Sequence, residues 1–319
     1  MLTSEQIKPR IAVSACLLGQ PVRFDGGRKR NRFITEQLSR LLEIAPIGPE
    51  MEAGLGTPRP TIQLRRIDGR IRLVQTKDPS IDLTDRVADV AISRARQLQG
   101  HISGLIVQKK SPTCGMERVP VSRGPGNASE RNGVGVFVQQ FSLHAPLAPI
   151  EEEGRLNDPI LRENFLERVY ALDRWYALEP GDLSGFIDFH TQHKLMLMAR
   201  SSDAYMRLGR LVAGVSGKTL IHRRDTYLQL FMQTLQKRVT RGHHCNVMMH
   251  IMGYFKGDLA PDDKLGLRQL FDAYKALLVP LSTPIALLSH HLRRHPKEYL
   301  ARQHYLTPYP HTLALRAVV

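Results

Sequence analysis

The chain has 319 residues, 42% of them hydrophobic and 24% charged, and its 45 Lys and Arg against 30 Asp and Glu leave a net charge of +15 at pH 7. This length accommodates two domains with a core in each, no low-complexity block interrupts it, and three scattered cysteines exclude a disulfide framework. No apolar run approaches the roughly 20 residues that span a bilayer, and the opening "MLTSEQIKPR" lacks the apolar stretch of a secretory signal, so a cytoplasmic protein with no membrane partner is expected.

In chain order, "RIAVSACLLG" reads as a short apolar strand entering a turn, "FITEQLSRLL" as a helix, and "LEIAPI" as a second strand that ends in Gly-Pro-Glu. "DLTDRVADVAISRARQL" has helical spacing with Asp82 or Thr84 as cap. "ISGLIVQKK" reads as a buried strand, and "GVGVFVQQF" as a helix or turn leading to a final strand, "SLHAPLAPI". Strands separated by helical segments imply parallel pairing through right-handed crossovers, hence a Rossmann-like α/β domain over residues 1–150. A linker rich in Pro and acid is expected at "HAPLAPIEEEGRLNDP", and the apolar spacing beyond it, over residues 151–319, is helical throughout. The glycine-rich "SRGPGNASERNGVGVF" does not fit the dinucleotide-binding fingerprint and reads as a mobile lid.

Parallel sheets bind ligands beyond the carboxyl ends of their strands. Cys16 and Gly48 each follow a strand, and Cys114 lies a few residues beyond a third, so these exits are expected to meet at one crevice. "SACLLG" and "SPTCG" both set a thiol in a tight turn whose N–H groups favour the thiolate, although a free cysteine is as often a small buried apolar residue. Both halves are basic, with formal charges of +9 for residues 1–150 and +6 for the remainder, which favours a polyanionic partner. "VRFDGGRKRNR" carries five basic residues between Arg23 and Arg32, a phosphate-binding pattern or a solvated face. Arg23 and Lys109 are the candidate substrate or phosphate contacts, and Lys110 also lies near the expected crevice. In the second half "HRRDTY", "KRVTRGHH" and "HHLRRHPKEY" mix basic residues with aromatics, as RNA contact surfaces do. His243–His244 and His290–His291 are adjacent pairs that face different ways on a helix, and zinc is set aside. His190 and His193 share a helical face and read equally as hydrogen-bonded structural residues.

"VSACLLGQPVRFDG" (13–26), "PIGPEMEAGLGTPRP" (46–60) and "LIVQKKSPTCG" (105–115) resemble the thiouracil desulfidases (TudS). "FHTQHKLMLMARS", "HIMGYFK", "DDKLGLRQLFDAYK" and "YLARQHYLTPYP" resemble the YbgA-type helical domain. A chain joining the two in this order is similar to the fusion desulfidases that act on 4-thiouridine in tRNA. That resemblance implies a [4Fe–4S] cluster held by three cysteines, with one iron open to the substrate's sulfur, and C=S hydrolysed to C=O without redox change. Two ligands fall on Cys16 and Cys114, whereas the third position is Gly48 and offers no thiolate. Glu50 is a harder donor than a thiolate, and Cys245, among apolar positions of a helical stretch, reads as packing. The resemblance favours Glu50 as base or proton shuttle, against pairing with Arg59, and Ser111 as the group holding water or substrate, against capping the turn before Pro112. The rival readings are a non-catalytic RNA-binding protein with a decayed cluster site and a desulfidase of free thiopyrimidines.

Overall fold

The structure, a computed structural model, describes residues 8–124 and 127–310. Its chain divides into two compact units, Met1–Asp158 and Pro159–Val319.

The first unit begins with β1 (Arg10–Ser14), followed by β2 (Glu43–Ile47) and the short helix α1 (Pro49–Glu52). A hairpin of β3 (Ile62–Ile67) and β4 (Arg70–Gln75) precedes helix α2 (Thr84–Leu98) and β5 (Gly104–Val107). Strands β6 (Val119–Ser122) and β7 (Glu130–Gly133), helix α3 (Val136–His144) and β8 (Ile150–Glu152) complete it. Strands β2-β1-β5-β8 form an all-parallel sheet in that order, with Ile11–Ser14 of β1 registered on Ile44–Ile47 of β2. Ile11, Ala12, Val13, Leu105, Ile106 and Val107 are fully buried, as a sheet covered on both faces requires. Helix α2 buries Val87, Ala91 and Ala95 at four-residue spacing in the same core as Phe137 and Phe141 of α3. The stretch at Phe33–Arg40 is a run of irregular helical turns.

Three sequence-based expectations change here. A second sheet, β4-β3-β6-β7, had not been expected, although its hairpin has a sequence signal in Asp68-Gly69. Both residues have positive φ, +47° and +77°, the left-handed pair that a two-residue hairpin turn demands. The final strand is shorter and later than "SLHAPLAPI", because α3 continues through His144 and only Ile150–Glu152 pairs with β5. The expected acidic linker is instead this buried strand and its exit. Glu151, Glu152 and Glu153 are 4–6% exposed, and each finds donors: Arg155 Nε on Glu151 at 2.6 Å, Met116 N on Glu152 at 2.8 Å, Lys109 N on Glu153 at 2.7 Å. The first unit therefore runs to Asp158, beyond residue 150.

The second unit is helical: α4 (Pro159–Tyr176), α5 (Leu183–Arg200), α6 (Ser202–Ala213), α7 (Leu220–Gln236), α8 (Arg241–Gly253), α9 (Pro261–Lys275), α10 (Ser282–Arg294) and α11 (Glu298–Ala301). Asp182, Ser201 and Thr240 cap α5, α6 and α8 through their side-chain oxygens, each cap contributing about 1 kcal/mol. Trp175, Phe186, Phe189, Tyr227 and Phe231 form one aromatic core, with ring centroids 4.9–6.4 Å apart. Beside it Arg200, 5% exposed, pairs with buried Glu167 and donates to Met196 O at 3.2 Å. Among the described residues no helix is long and apolar enough to cross a membrane.

Candidate functional site

Residues Cys16, Gly48 and Cys114 line one cavity, about 50 Å³ in volume, together with Ser14, Val22, Arg23, Glu50, Arg59, Gln108 and Ser111. The placement follows from topology. Cys16 sits in the turn leaving β1, Gly48 is the first residue after its neighbour β2, and Gln108 is the first after β5 on the other side.

Cys114 is brought in by a tightly stitched loop. Ser111 Oγ accepts from Thr113 N at 3.2 Å and Cys114 N at 3.0 Å. The loop is then sewn to the start of α3, with Gly135 N donating to Gly115 O at 2.7 Å and Phe137 N to Thr113 O at 2.9 Å. Gly115 and Gly135 permit that approach: a Cβ on Gly135 would lie 2.4 Å from Thr113 O. Of the segment read as a mobile lid, residues 130–133 are thus a paired strand and Gly135 is packed against the Cys114 loop, while Pro125 and Gly126 lie outside the described residues.

Cys16 Sγ donates to Gln108 Oε1 at 2.7 Å. Burial, reinforced by the nearby Glu50 carboxylate, pushes the Cys16 thiol up to about 11 and the almost fully buried Cys114 thiol well above its ordinary value. Both are therefore neutral at pH 7, and a bound cation is what would make them thiolates. Ser14 Oγ lies against the Cys114 thiol yet makes no hydrogen bond of ordinary geometry, and Arg59 Nε is likewise buried without a partner. Two orphaned polar atoms in one small cavity mark a place for a polar guest.

Glu52 is occupied, its Oε1 accepting from Gly48 N at 2.9 Å and its Oε2 from Arg94 Nε at 2.6 Å, whereas Glu50 faces the cavity. Arg59 does not turn to Glu50 but donates to Val22 O at 3.0 Å and Gly56 O at 2.8 Å. Arg23 lines the cavity with its guanidinium 5.9 Å from the Phe24 ring centre. Lys109 is exposed and lies outside the cavity lining; its stem runs along Gly154. Sequence reasoning missed Ser14 and Gln108. Ser14 sits two residues before Cys16, and Gln108 ends the apolar run of β5, so strand alternation and the strand's end were the available signals.

In the helical unit, part of the basic and aromatic mixture serves the fold. Arg224 lies over Trp175 at 4.6 Å and Arg241 over Tyr274 at 4.7 Å. His190 Nδ1 meets the Tyr227 hydroxyl at 3.1 Å, His193 Nδ1 meets Phe189 O at 2.7 Å, and Cys245 Sγ meets Phe271 O at 3.5 Å. His222, Lys237, Arg238, His243, Lys256, Arg293 and Arg294 remain exposed.

An α/β unit with two thiols at the mouths of adjacent parallel strands, followed by a helical unit, is the class these observations define. Residues 11–153 match the family model described as 2-thiouracil desulfurase, and residues 194–310 match that of a protein of unknown function, DUF1722. The uncharacterized protein YbgA of Escherichia coli strain K12 is 28% identical over 157 residues, 48% of this chain and 93% of YbgA. A solved structure of the [4Fe-4S]-dependent thiouracil desulfidase TudS is 27% identical, covers 49% of this chain and 98% of its own, and superposes with a TM-score of 0.38. The chain is a TudS-type domain fused to a YbgA-type domain.

The donor set does not fit a cubane held by three protein thiolates. Two cysteines line the cavity, glycine holds the third place, and among the described residues no group of three or more His, Cys, Asp or Glu is arranged to hold a metal.

Proposed function

We propose that this chain is a desulfidase whose substrate is 4-thiouridine in tRNA, the first unit carrying the chemistry and the second holding the nucleic acid. The observation that carries the reading is the single cavity into which the exits of β1 and β2 and the loop after β5 bring Cys16, Glu50, Ser111 and Cys114. Replacing C=S by C=O requires that sulfur be bound, a water be activated and a proton be delivered to the leaving sulfide. A soft-metal guest would supply the first.

The chain's own residues supply the rest. Glu50 presents a carboxylate to the cavity and takes the proton of a water attacking the ring carbon. Ser111 spends its oxygen on two backbone N–H groups, so what it has left for the cavity is its hydrogen. It therefore donates, orienting water or substrate, and does not act as a base. Arg23 at the rim is placed for a phosphate. A charge of +15, with exposed cations on the helical unit, supports a polyanionic substrate over a free base.

The test is nucleoside analysis of tRNA containing 4-thiouridine after anaerobic incubation with the iron- and sulfide-treated protein, alongside free 4-thiouridine and 2-thiouracil. Conversion confined to tRNA is expected; conversion of the free compounds alone refutes the tRNA reading. Gly48 specifically favours a second reading, an RNA-binding protein with a decayed cluster site, under which tRNA is bound and none of the three is converted.

A further inference from the structure

Glycine at position 48 has no conformational cause. Its φ of −137° and ψ of 75° lie on the side open to L-residues, and a Cβ built there meets nothing closer than Met51 Cβ at 3.6 Å, an ordinary contact. Gly115 and Gly135 are opposite cases, since a Cβ on either would strike backbone at 2.9 Å or less. The backbone at 48 is also held in place, by Glu52 on its N–H, with Pro49 buried after it. Next to this gap are Cys16 and Cys114, and the Ser14 hydroxyl, 3% exposed and unsatisfied, lines the same cavity. The seat therefore has its walls, two of its three thiols and an orphaned donor, and lacks one side chain.

We propose that position 48 is an open ligand seat at which a small thiol from solution takes the place of the missing cysteine side chain. An iron–sulfur guest is then held by Cys16, Cys114 and one external thiolate. The thiol loses its proton to solvent as its sulfur bonds to iron, and no electron is transferred. Soft thiolate is the donor such a guest prefers, and a small alkyl thiol brings the sulfur and short stem that glycine lacks. The inference shares the assignment of the cavity with the proposed function and is independent of its substrate.

The test is anaerobic reconstitution with ferrous iron and sulfide in a phosphine reductant, with and without 2-mercaptoethanol, followed by desalting, iron analysis and visible absorption. The protein and its Gly48→Cys variant are compared. The unaltered protein is expected to retain about tenfold more iron when the thiol is present, the low end of what losing a metal-site contact costs. Gly48→Cys is expected to retain iron equally with or without thiol. Thiol-independent retention by the unaltered protein, or equal thiol dependence in both, overturns the proposal. Should the variant fail to fold, the saturable response of the unaltered protein to thiol decides alone. Loading that follows the expected pattern while 4-thiouridine in tRNA stays intact refutes the substrate reading and leaves the ligand seat standing.

Discussion

Gly135→Ala probes how the Cys114 loop is held. The backbone at 135 (φ −62°, ψ 136°) suits alanine, so on conformational grounds the change stabilises by about 0.4–1 kcal/mol. Sterics oppose it, because the new Cβ lies 2.4 Å from Thr113 O, 2.5 Å from Thr113 C and 2.7 Å from Cys114 N. These are backbone atoms, and the loop cannot retreat without breaking the bonds from Gly135 N to Gly115 O and from Phe137 N to Thr113 O. Overpacking costs about 1–3 kcal/mol and each lost hydrogen bond about 1 kcal/mol more, for a net loss of about 2–4 kcal/mol. At roughly 2–4 °C per kcal/mol for a unit of this size, the melting point falls by about 4–16 °C. Calorimetry measures it, with Gly48→Ala, whose Cβ meets only Met51 at 3.6 Å, as a control expected within about 0.5 kcal/mol of the parent. A displaced loop also opens Cys114 to alkylation under native conditions. If Gly135→Ala melts with the parent and leaves Cys114 protected, the account of the loop is wrong.

Other predictions concern titration, the buried ion pair and salt. Cys16 holds its proton to about pH 11, against an ordinary 9, so its alkylation by iodoacetamide keeps accelerating beyond pH 9; a plateau below that refutes the burial and Glu50 argument. Because the folded state holds that proton more tightly, the associated stability is complete below pH 9 and is lost between 9 and about 11. Burial lowers His190 to about 4 and His304 to about 3, so their contribution is present above 6.5 and is lost as pH falls through those values. A melting point for the helical unit that does not drop from pH 7 to pH 4, or an equal drop in His190→Gln, contradicts this. Glu167→Gln leaves Arg200 buried without its counter-charge and should cost about 3–5 kcal/mol in denaturant unfolding; a loss under about 1 kcal/mol refutes it. Affinity for tRNA should fall steeply with salt, and a flat salt profile would remove the electrostatic argument.

Local pattern in the sequence was enough for the α/β and helical succession, since buried parallel strands and amphipathic helices carry their periods in the chain itself. Val87, Ala91 and Ala95 announce α2, and the Asp68-Gly69 turn was equally legible. The spacing of Ala204, Leu208 and Val212 likewise marks α6. Strand exits also pointed to Cys16, position 48 and Cys114 as neighbours. Tertiary structure alone decided the rest, because it depends on contacts between residues far apart in the chain. Composition marks "EEE" as solvated, yet donors from Met116, Lys109 and Arg155 let it form a buried strand and its exit. The string also shows three glycines alike. Space separates them: Gly115 and Gly135 are glycine because backbone presses on them, while Gly48 faces a gap that a side chain would fill.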